Sequence, residues 1–421
     1  MTMRRIVVVG NGIAGLTACD SLRSAGFDGE LTVVGAERHH PYSRPALSKA
    51  LLHGVNGNSD DALQAHELPE PTHDATELLG VSATGLDPDA RLVRLDGGGE
   101  LPYDGLVIAS GSRAKRLASG HGGGGQQRVG QGGVGPQQDG SPRELTLRTI
   151  EDAILLKERV ASRPSVIVIG GGPLGMEVAS GCLHMGCEVT LVSDVKPLSR
   201  QLGGHLADIF TSAAIQRGLR VVGGGKARLV DHGTGTRVVL ADGTELHADL
   251  VVTAVGDEPN TDWLAGSNLL TDGSLRVDSR GRVRPEIVAA GDVAFFPTRR
   301  GVQRVPLWTS AIDQAKVAAV GLLQGDAAPE FNFQPYFWTE GFGLSLKAVG
   351  FTPVAGEPDF CEPGAESGSL LLRWDNPDGA GTAAALNYRI PVPKLRRLAD
   401  AGPAALRPAA PVLRPATPAR A

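Results

Sequence analysis

A short apolar segment that runs straight into regularly spaced glycines is the feature that most restricts the fold of this chain. Ile6–Val9 is apolar throughout, as expected of a buried parallel strand. It leads into Gly10, Gly12 and Gly15, which have G-x-G-x-x-G spacing, and residues 13 to about 25 read as a helix. The first glycine allows a tight turn, the second lets a phosphate approach the backbone, and the third lets the helix pack against the strand. The unit predicts a parallel sheet with a dinucleotide phosphate at the helix N-terminus.

A second strand and an acidic residue complete this unit. Glu30–Val34 is the predicted strand, and Glu37 follows it. A carboxylate about 20 residues after the glycines accepts hydrogen bonds from a ribose hydroxyl. A lone glycine motif is weak evidence in a chain with 57 glycines, but strand, helix, strand and acid in this order indicate a dinucleotide site.

The same unit occurs a second time. Ser165–Ile169 leads into Gly170, Gly172 and Gly175, and the helix that follows has Pro173 in its first turn, where proline is tolerated. Two units of this kind imply two dinucleotides, or one electron donor and one prosthetic group.

The end of the second unit departs from the usual pattern. The predicted strand Glu188–Val192 is followed by Ser193 and Asp194 rather than by a glutamate, with Lys196 and Arg200 nearby. Loss of the carboxylate beside cations suits a ribose 2′-phosphate, whereas Asp194 suits a free 2′-hydroxyl. The sequence leaves both forms of the dinucleotide open.

Two later apolar segments also end at glycines. They are DLVVTAVG, which ends at Gly256, and EIVAAGDVAFF, in which Asp292 follows Gly291 at a predicted strand end. A carboxylate there is placed to meet a ligand hydroxyl, although an ordinary strand–turn–helix has the same pattern. The helix-like segment TSAIDQAKVAAVGLL follows.

Composition narrows the class of protein. With 421 residues the chain is long enough for two or three domains. Its net charge of −5 and its pI near 6.1 argue against a nucleic-acid binder. No apolar run reaches the roughly 18 residues of a membrane span, and the N-terminus lacks a signal-peptide pattern. Four cysteines are too few for a secreted disulfide framework, and the ten histidines show no metal-ligand spacing. We therefore expect a cytoplasmic α/β protein that binds no metal, no nucleic acid and no membrane.

Two segments lack the apolar residues that a folded region needs. Residues 119–143 are rich in glycine and glutamine, and residues 401–421 are rich in alanine, proline and arginine. Neither buries enough surface to offset the entropy cost of ordering. We expect a flexible insertion and a disordered tail.

Seven motifs, taken in order, resemble those of the flavoprotein pyridine-nucleotide reductases: VVVGNGIAG, RPALSK, ASGS, TLRTIEDA, GGGPLGMEVA, AAGD and PYFW. The chain is most similar to the FAD-dependent NAD(P)H:ferredoxin or rubredoxin reductases of the putidaredoxin reductase type, in the pyridine nucleotide-disulfide oxidoreductase superfamily. The likeness covers about residues 4–350. It implies an α/β fold with two Rossmann-like dinucleotide-binding domains plus a small C-terminal α+β domain. A FAD-binding domain (residues 1–118 and 250–325) would be interrupted by an NAD(P)H-binding domain (144–249) and followed by the C-terminal domain (326–400).

The resemblance also implies a function. Hydride would pass from NADH or NADPH to FAD, and electrons would leave for a ferredoxin-type iron–sulfur protein that serves an oxygenase, in a monomer or weak homodimer. Two other functions stay open. One is a self-contained FAD enzyme, either a reductase or a tailoring oxidase, that acts on a small molecule. The other is a flavin-binding sensor with little turnover, which fast reduction by NAD(P)H would exclude.

The stretch HPYSRPALSK stands where disulfide reductases of this superfamily carry a Cys-x4-Cys pair beside the flavin. By resemblance, Arg44 and Lys49 line the FAD, and Glu177 is the ion-pair partner of Lys49. Trp308 precedes a helix whose positive N-terminus suits a flavin that gains negative charge. The resemblance thus makes Lys49, Glu177 and Trp308 the candidate catalytic residues. The candidate cofactor-binding residues are Gly10, Gly12, Ile13, Ala14, Gly15, Glu37, Arg44, Lys49, Ala83, Ala109, Ser110, Gly111, Arg148, Gly170, Gly172, Pro173, Leu174, Gly175, Ser193, Asp194, Arg200, Gly256, Gly291, Asp292 and Trp308.

Several positions depart from the family pattern. Pro306 stands where relatives have an acid, and Pro173 and Leu174 replace the usual Phe and Ile beside the nicotinamide. These departures motivate the self-contained enzyme as an alternative. Trp338, in PYFW, is the candidate aromatic residue on the side where electrons leave, with core packing as the other interpretation.

Cys182 and Cys187 have Cys-x4-Cys spacing, but they lie at the end of the second predicted helix. This place is far along the chain from the flavin loop. We predict two small buried side chains rather than a redox pair.

Overall fold

The computed structural model describes residues 3–49, 67–69, 71–117, 144–232, 235–377 and 379–403. The predicted flexible insertion 119–143, and all but residues 401–403 of the predicted tail, lie outside the described residues. The strands are β1 Arg5–Val9, β2 Glu30–Gly35, β3 Thr76–Leu79, β4 Ala83–Asp87, β5 Leu92–Leu95, β6 Glu100–Pro102, β7 Gly105–Ile108, β8 Ser112–Ala114, β9 Glu144–Leu145, β10 Ser165–Ile169, β11 Glu188–Val192, β12 Arg220–Val222, β13 Ala227–His232, β14 Gly235–Leu240, β15 Glu245–Ala248, β16 Leu250–Thr253, β17 Asp257–Pro259, β18 Leu275–Arg276, β19 Arg282–Arg284, β20 Ile287–Ala289, β21 Ala294–Thr298, β22 Gly301–Gln303, β23 Tyr336–Gly341, β24 Leu344–Val349, β25 Phe360–Pro363, β26 Leu370–Asp375 and β27 Gly381–Leu386.

The helices predicted after both glycine turns and at TSAIDQAKVAAVGLL are all present among the seven helices of the described residues. These seven are α1 Ile13–Ser24, α2 Ile150–Val160, α3 Pro173–His184, α4 Ser199–Leu202, α5 Gly204–Gln216, α6 Trp308–Gln324 and α7 Val392–Ala401, with short 3-10 turns at Arg44–Ala46, Asp96–Gly98, Asp262–Leu264 and Gly325–Ala327. No helix among these described residues is both long and apolar enough to cross a membrane.

The first sheet has the order β19-β20-β7-β1-β2-β3. Four of its five pairings are parallel, and only the β19–β20 pairing at one edge is antiparallel. Helices α1 and α6 pack together on one face, over the apolar side chains of β1, β7 and β20. The small antiparallel sheet β4-β5-β6 covers the other face. The apolar run that precedes the first glycine turn is thus a central buried strand, as predicted.

The second sheet is entirely parallel, in the order β12-β11-β10-β16-β9. It repeats the first unit, since β10 leads through a glycine turn into α3 and then β11. The predicted domain boundaries place Leu250–Thr253 in the first domain, but this strand lies in the second sheet. Leu250–Thr253 belongs to the second sheet because all four of its residues are buried and pair in register with Val166–Ile169.

A short antiparallel pair connects the two sheets. Strand β8 follows β7 of the first sheet, and β17 follows β16 of the second sheet. Asp257–Pro259 pairs in register with Ser112–Ala114. The chain therefore leaves the first sheet and returns to it through one narrow two-stranded connection.

The C-terminal sheet has the antiparallel order β23-β24-β27-β26-β25. Helix α7 packs on one face, while the other face joins the core that contains α3. Side chains alternate along β23, because successive residues of a strand point to opposite faces. Phe337 packs into the core with α3, and Tyr336 packs into the core with α7.

Candidate functional site

The first glycine turn is too closely packed for side chains at two of its three glycines. Gly10 has a φ of +117°, and a Cβ on it would lie 2.1 Å from the carbonyl oxygen of Ala109. A Cβ on Gly15 would lie 1.8 Å from the oxygen of Gly10. Gly12 differs, since a Cβ on it would meet nothing within 4 Å. The unpaired N–H groups that begin α1 therefore open onto free space, where an anion is favoured.

The second glycine turn repeats this geometry. A Cβ on Gly170 would lie 2.2 Å from the oxygen of Ala254, and a Cβ on Gly175 would lie 1.9 Å from the oxygen of Gly170. At Gly172 the nearest atom would be the Gln201 side-chain nitrogen, at 3.7 Å. The start of α3 is thus a second open anion site of the same construction.

One cavity of about 2120 Å³ extends from the first glycine turn to the start of α3. Pockets for one small ligand are typically about 300–1,000 Å³, so this volume has room for a dinucleotide and part of a second one. Among the sequence-predicted residues, the cavity is lined by Gly10, Gly12, Ile13, Ala14, Glu37, Arg44, Lys49, Ala83, Ala109, Ser110, Gly111, Arg148, Pro173, Leu174, Glu177, Gly291, Asp292, Trp308 and Trp338.

Other predicted residues lie outside the lining of this cavity. Gly15 is buried beneath the first turn, and Gly256 lies at the connection between the sheets, where its oxygen accepts from the Lys115 backbone N–H at 3.0 Å. Most of the second glycine turn and the end of β11 are also outside the lining. The residues there are Gly170, Gly172, Gly175, Ser193, Asp194 and Arg200.

At one end of the cavity, Glu37 is held in place by two neighbours. The Tyr42 hydroxyl donates to its carboxylate at 2.6 Å, and the Arg44 guanidinium donates to the other carboxylate oxygen. Arg44 also donates to the carbonyl oxygen of Arg148 at 2.9 Å. Burial lowers the pKa of Arg44, but Glu37 outweighs burial and leaves this pKa raised. Arg44 thus fixes the carboxylate that the sequence assigns to a ribose.

Asp292 sits at the opposite side of the first glycine turn. Arg148 donates to its carboxylate at 2.8 Å, and the Ser112 hydroxyl donates to the same oxygen at 3.3 Å. Arg304 donates to the Asp292 carbonyl oxygen at 3.1 Å and to both carboxylate oxygens of Asp257 at 2.6 and 2.9 Å. Arg304 and Asp257 belong to no motif in the sequence, and nothing in the chain order indicates that they meet.

The predicted ion pair between Lys49 and Glu177 is present. The Lys49 ammonium lies 2.9 Å from the Glu177 carboxylate, whose side chain is only 6% exposed. Two hydroxyls, from Ser48 and from Thr339 (2.6 Å), donate to this carboxylate as well. The Lys49 ammonium also lies 5.9 Å from the ring centroid of Trp338, within cation–π range. Sequence reasoning missed Ser48 and Thr339, since hydroxyl residues carry no recognisable spacing.

Helix α6 begins at the cavity with Trp308, after Pro306 and Leu307, which also line it. This helix has 17 residues, so its N-terminus carries a partial positive charge towards the cavity. The Thr309 hydroxyl donates to the carbonyl oxygen of Tyr336 at 3.0 Å. That contact ties the helix start to β23, where the rings of Tyr336 and Trp338 stack at 5.7 Å.

The cavity also contains polar atoms that lack a protein partner. Asn11, within the first glycine motif, lines the cavity with a buried side-chain amide whose nitrogen and oxygen have no hydrogen-bond partner in the described protein. Buried amides are normally paired, so Asn11 is available to a ligand. Together with the open space above Gly12, this amide makes the cavity fit a dinucleotide such as FAD.

The end of β11 carries a buried serine and two cations that are paired with carboxylates. Ser193 is buried, with 7% of its surface exposed. Arg200 donates to Asp194 at 2.7 Å, and Lys196 pairs with Asp208 at 2.5 Å. Both nearby cations are thus paired with carboxylates in exposed ion pairs, which are weak enough for a ligand phosphate to replace.

Cys182 and Cys187 are buried free thiols, as predicted. Burial raises the pKa of Cys182 to about 12 and raises that of Cys187 as well, so both thiols are protonated at neutral pH. Within the described ranges, no group of three or more His, Cys, Asp or Glu side chains is arranged to hold a metal ion.

The chain matches one protein family and is similar in sequence to known reductases. The model of the pyridine nucleotide-disulphide oxidoreductase family matches residues 4–315. The ferredoxin–NAD(+) reductase component of the p-cumate 2,3-dioxygenase system of Pseudomonas putida is 32% identical over 354 residues, 82% of this chain and 81% of that protein. Rhodocoxin reductase of Rhodococcus erythropolis is 33% identical over 357 residues, 83% of this chain and 79% of that protein.

Solved structures share the fold. The covalent putidaredoxin reductase–putidaredoxin complex contains a chain that superposes with a TM-score of 0.76 and 26% identity, covering 94% of this chain and 93% of that one. The arrangement of two dinucleotide-binding units followed by a smaller C-terminal unit is therefore the arrangement of a putidaredoxin reductase-like structure, as predicted.

Proposed function

The chain belongs to the pyridine nucleotide-disulphide oxidoreductase family, and from that membership we propose that it passes electrons from NAD(P)H through FAD to a ferredoxin-type iron–sulfur protein serving an oxygenase. The similar proteins named above are a ferredoxin–NAD(+) reductase component of a dioxygenase system and a rhodocoxin reductase. Enzymes of this family use FAD and NAD(P)H.

One observation carries the proposal. The first residues of α3, Pro173 and Leu174, line the same cavity as Gly10 and Gly12. A dinucleotide at the second glycine turn would therefore reach towards one at the first turn. Bound FAD would supply an acceptor for hydride from the nicotinamide and a donor of electrons to the iron–sulfur protein.

The residues of this chain would hold FAD along the first unit. Gly10 and Gly12 would face the pyrophosphate, Glu37 the adenosine ribose and Asp292 the ribityl chain. Lys49 would provide positive charge beside the ring system, in a site where such charge acts strongly because water is excluded. Trp338, adjacent to Lys49, would mark the side where the iron–sulfur partner docks.

A self-contained FAD enzyme is the second candidate. Part of the cavity lining is apolar, including Pro306, Leu307 and Trp308, and Pro306 stands where the resemblance to relatives leads one to expect an acid. Such walls would accept a small planar apolar molecule as an alternative to a protein partner. The predicted monomer or weak homodimer and the predicted cytoplasmic location stay predictions.

The test is anaerobic stopped-flow reduction of the FAD-loaded protein by NADH and by NADPH. We expect rapid loss of the visible flavin absorbance with one of the two, followed by cytochrome c reduction only when a ferredoxin is added. A flavin that binds but stays oxidised with both nucleotides would refute the reductase. Fast reduction with a ferredoxin-independent turnover of small acceptors would favour the second candidate.

A further inference from the structure

We propose that Thr339 is a positioning residue which, through Glu177, sets the position of the Lys49 ammonium in the cavity. This inference rests on the proposed function, because it concerns the residues that would face the flavin. It assigns a role to a residue of the C-terminal sheet that lies 162 positions along the chain from Glu177.

The contacts around Glu177 form a closed set. Its Oε1 accepts from the Thr339 hydroxyl at 2.6 Å and lies 2.9 Å from the Lys49 ammonium. Its Oε2 accepts from Ser48 and from Lys49, the latter at 2.9 Å. Thr339 is 2% exposed, Ser48 4% and Glu177 5%, so water does not compete for these bonds. A buried carboxylate keeps its charge only when hydrogen bonds and cations replace its hydration.

Three separate parts of the chain meet at this carboxylate. Lys49 and Ser48 come from the loop of the first unit, Glu177 from α3 of the second unit, and Thr339 from β23 of the C-terminal sheet. Thr339 is the only contact that the third part supplies among the described hydrogen bonds to Glu177. The C-terminal sheet therefore contributes a single hydroxyl to the bonds around Glu177, while Trp338 of the same strand lies beside the Lys49 ammonium itself.

Removing this hydroxyl would change how the carboxylate shares its charge. Without Thr339, the Oε1 oxygen would be left to Lys49 alone, and the ammonium would be held more tightly against Glu177. A cation that is more completely neutralised by its partner stabilises a nearby developing negative charge less. We therefore expect the bound flavin to become harder to reduce, although Thr339 itself need not touch it.

The test compares Thr339→Val with Thr339→Ser in the full-length protein loaded with FAD. Valine keeps the shape but removes the donor, whereas serine keeps the donor. We expect the valine variant to shift the flavin reduction equilibrium about tenfold, a midpoint potential lower by about 30 mV for a two-electron couple. We expect the rate of reduction by NAD(P)H to fall by a similar factor, and the serine variant to behave as the parent protein does.

Ser180→Ala is the matched control. The Ser180 hydroxyl accepts from the Phe342 backbone N–H at 2.9 Å, so it joins the same helix to the same part of the C-terminal chain without touching Glu177. If Ser180→Ala shifts the potential as much as Thr339→Val does, the effect belongs to the interface as a whole and the inference is wrong. It is also wrong if Thr339→Val unfolds more easily but keeps the parental potential.

Failure of the proposed function would give a different experimental result from failure of the role proposed for Thr339. In that case the parent protein itself would bind no FAD, or would bind it without reduction by NADH or NADPH. A parent protein that is reduced at the expected rate, with an unchanged potential in Thr339→Val, would refute the positioning role alone.

Discussion

The chemistry of the cavity depends mostly on single side chains, and the pair of Lys49 and Glu177 is the clearest example. Lys49 is 17% exposed and Glu177 6% exposed. Each would be costly to bury alone, and each is retained because the other is present. Prolines restrict the backbone of the stretch that carries Lys49, and this stretch contains the 3-10 turn Arg44–Ala46. The turn thus holds the Lys49 ammonium at a fixed position, although Lys49 lies in neither a strand nor a long helix.

This pairing leads to a stability prediction. Lys49→Met should lower the free energy of unfolding by about 3 kcal/mol, because it leaves the Glu177 carboxylate buried without a cation. The double variant Lys49→Met/Glu177→Gln should recover most of that loss, since glutamine carries no charge but still accepts hydrogen bonds from Ser48 or Thr339. Urea unfolding at saturating FAD measures both. A double variant as unstable as the single one would contradict the explanation.

Elements, rather than residues, explain why the two glycine turns have the same construction. Each turn ends a central parallel strand and begins a helix, so each presents unpaired N–H groups at the carboxyl edge of its sheet. The middle glycine of each turn is the position where backbone conformation and space would both tolerate a methyl group. That makes the two middle glycines separate probes of the two units.

The element-scale prediction uses this separation. Gly12→Ala should leave the fold intact but weaken FAD binding at least about tenfold, or ~1.4 kcal/mol, because its methyl group would enter the space meant for phosphate. Gly172→Ala should keep FAD and raise the KM for NAD(P)H instead. FAD titration followed by steady-state kinetics distinguishes the two.

Gly204→Ala serves as the control for both. Gly204 is the first residue of α5, and a Cβ on it would also meet nothing within 4 Å. It should change neither FAD binding nor the KM. Loss of FAD in the Gly172 variant, with normal binding in the Gly12 variant, would reverse the assignment of the two units.

The sequence predicted elements well where the signal is local. Strand β10, Ser165–Ile169, and strand β11, Glu188–Val192, have the predicted bounds, because a continuous apolar run bounded by glycine and polar residues indicates a buried parallel strand. Leu250–Thr253 has an equally clear pattern, and the predicted boundary groups it with the first unit although it pairs with Val166–Ile169 of the second sheet. An apolar pattern indicates that a strand is buried, but it does not indicate which strands pair with it.

The candidate site was predictable to the extent that it depends on motifs. Gly10, Gly12 and Glu37 follow from chain order, but Thr339 and the Arg304–Asp257 pair do not. These contacts join residues 47 to 162 positions apart. Their partners are set by how the units dock, and single polar residues carry no periodicity that would reveal it.

At the scale of the whole molecule, the two dinucleotide units are joined by β8 and β17, and Arg304 secures that connection. Arg304 approaches from the segment before α6 and binds both carboxylate oxygens of Asp257 on β17. Burial raises the pKa of Asp257, but the hydrogen bonds from Arg304 outweigh burial and hold this pKa below its ordinary value. A depressed carboxyl pKa stabilises the folded protein wherever the carboxylate is ionised.

The whole-molecule prediction concerns pH. Arg304→Ala should lower the free energy of unfolding by about 2 kcal/mol near neutral pH, the scale of hydrogen bonds to a charged group. The difference from the parent protein should persist above about pH 4, the ordinary pKa of an unfolded aspartate. It should shrink as the pH falls through the lower pKa of folded Asp257, because protonation then removes the pair from the parent protein too.

Arg113→Ala is the comparison variant for this measurement. Arg113 lies on β8 of the same connection, and its ion pair with Glu258 is exposed. It should cost less than about 1 kcal/mol. A stability difference for Arg304→Ala that grows as the medium becomes acidic would contradict the role given to Asp257.

The alternation of side chains along β23 has a consequence for how such a protein diversifies. Thr339 points to the helix of the second unit, while its neighbours Trp338 and Glu340 point to the opposite face. Strand β23 thus contributes to two surfaces, one that packs on the helix of the second unit and one on the opposite face. Substitutions of Trp338 or Glu340 would change that opposite face and leave the Thr339 hydroxyl in place, whereas insertion of a single residue would exchange the two faces. A change of length in this strand would therefore remove the Thr339 contact with Glu177, which point substitutions of Trp338 or Glu340 leave intact.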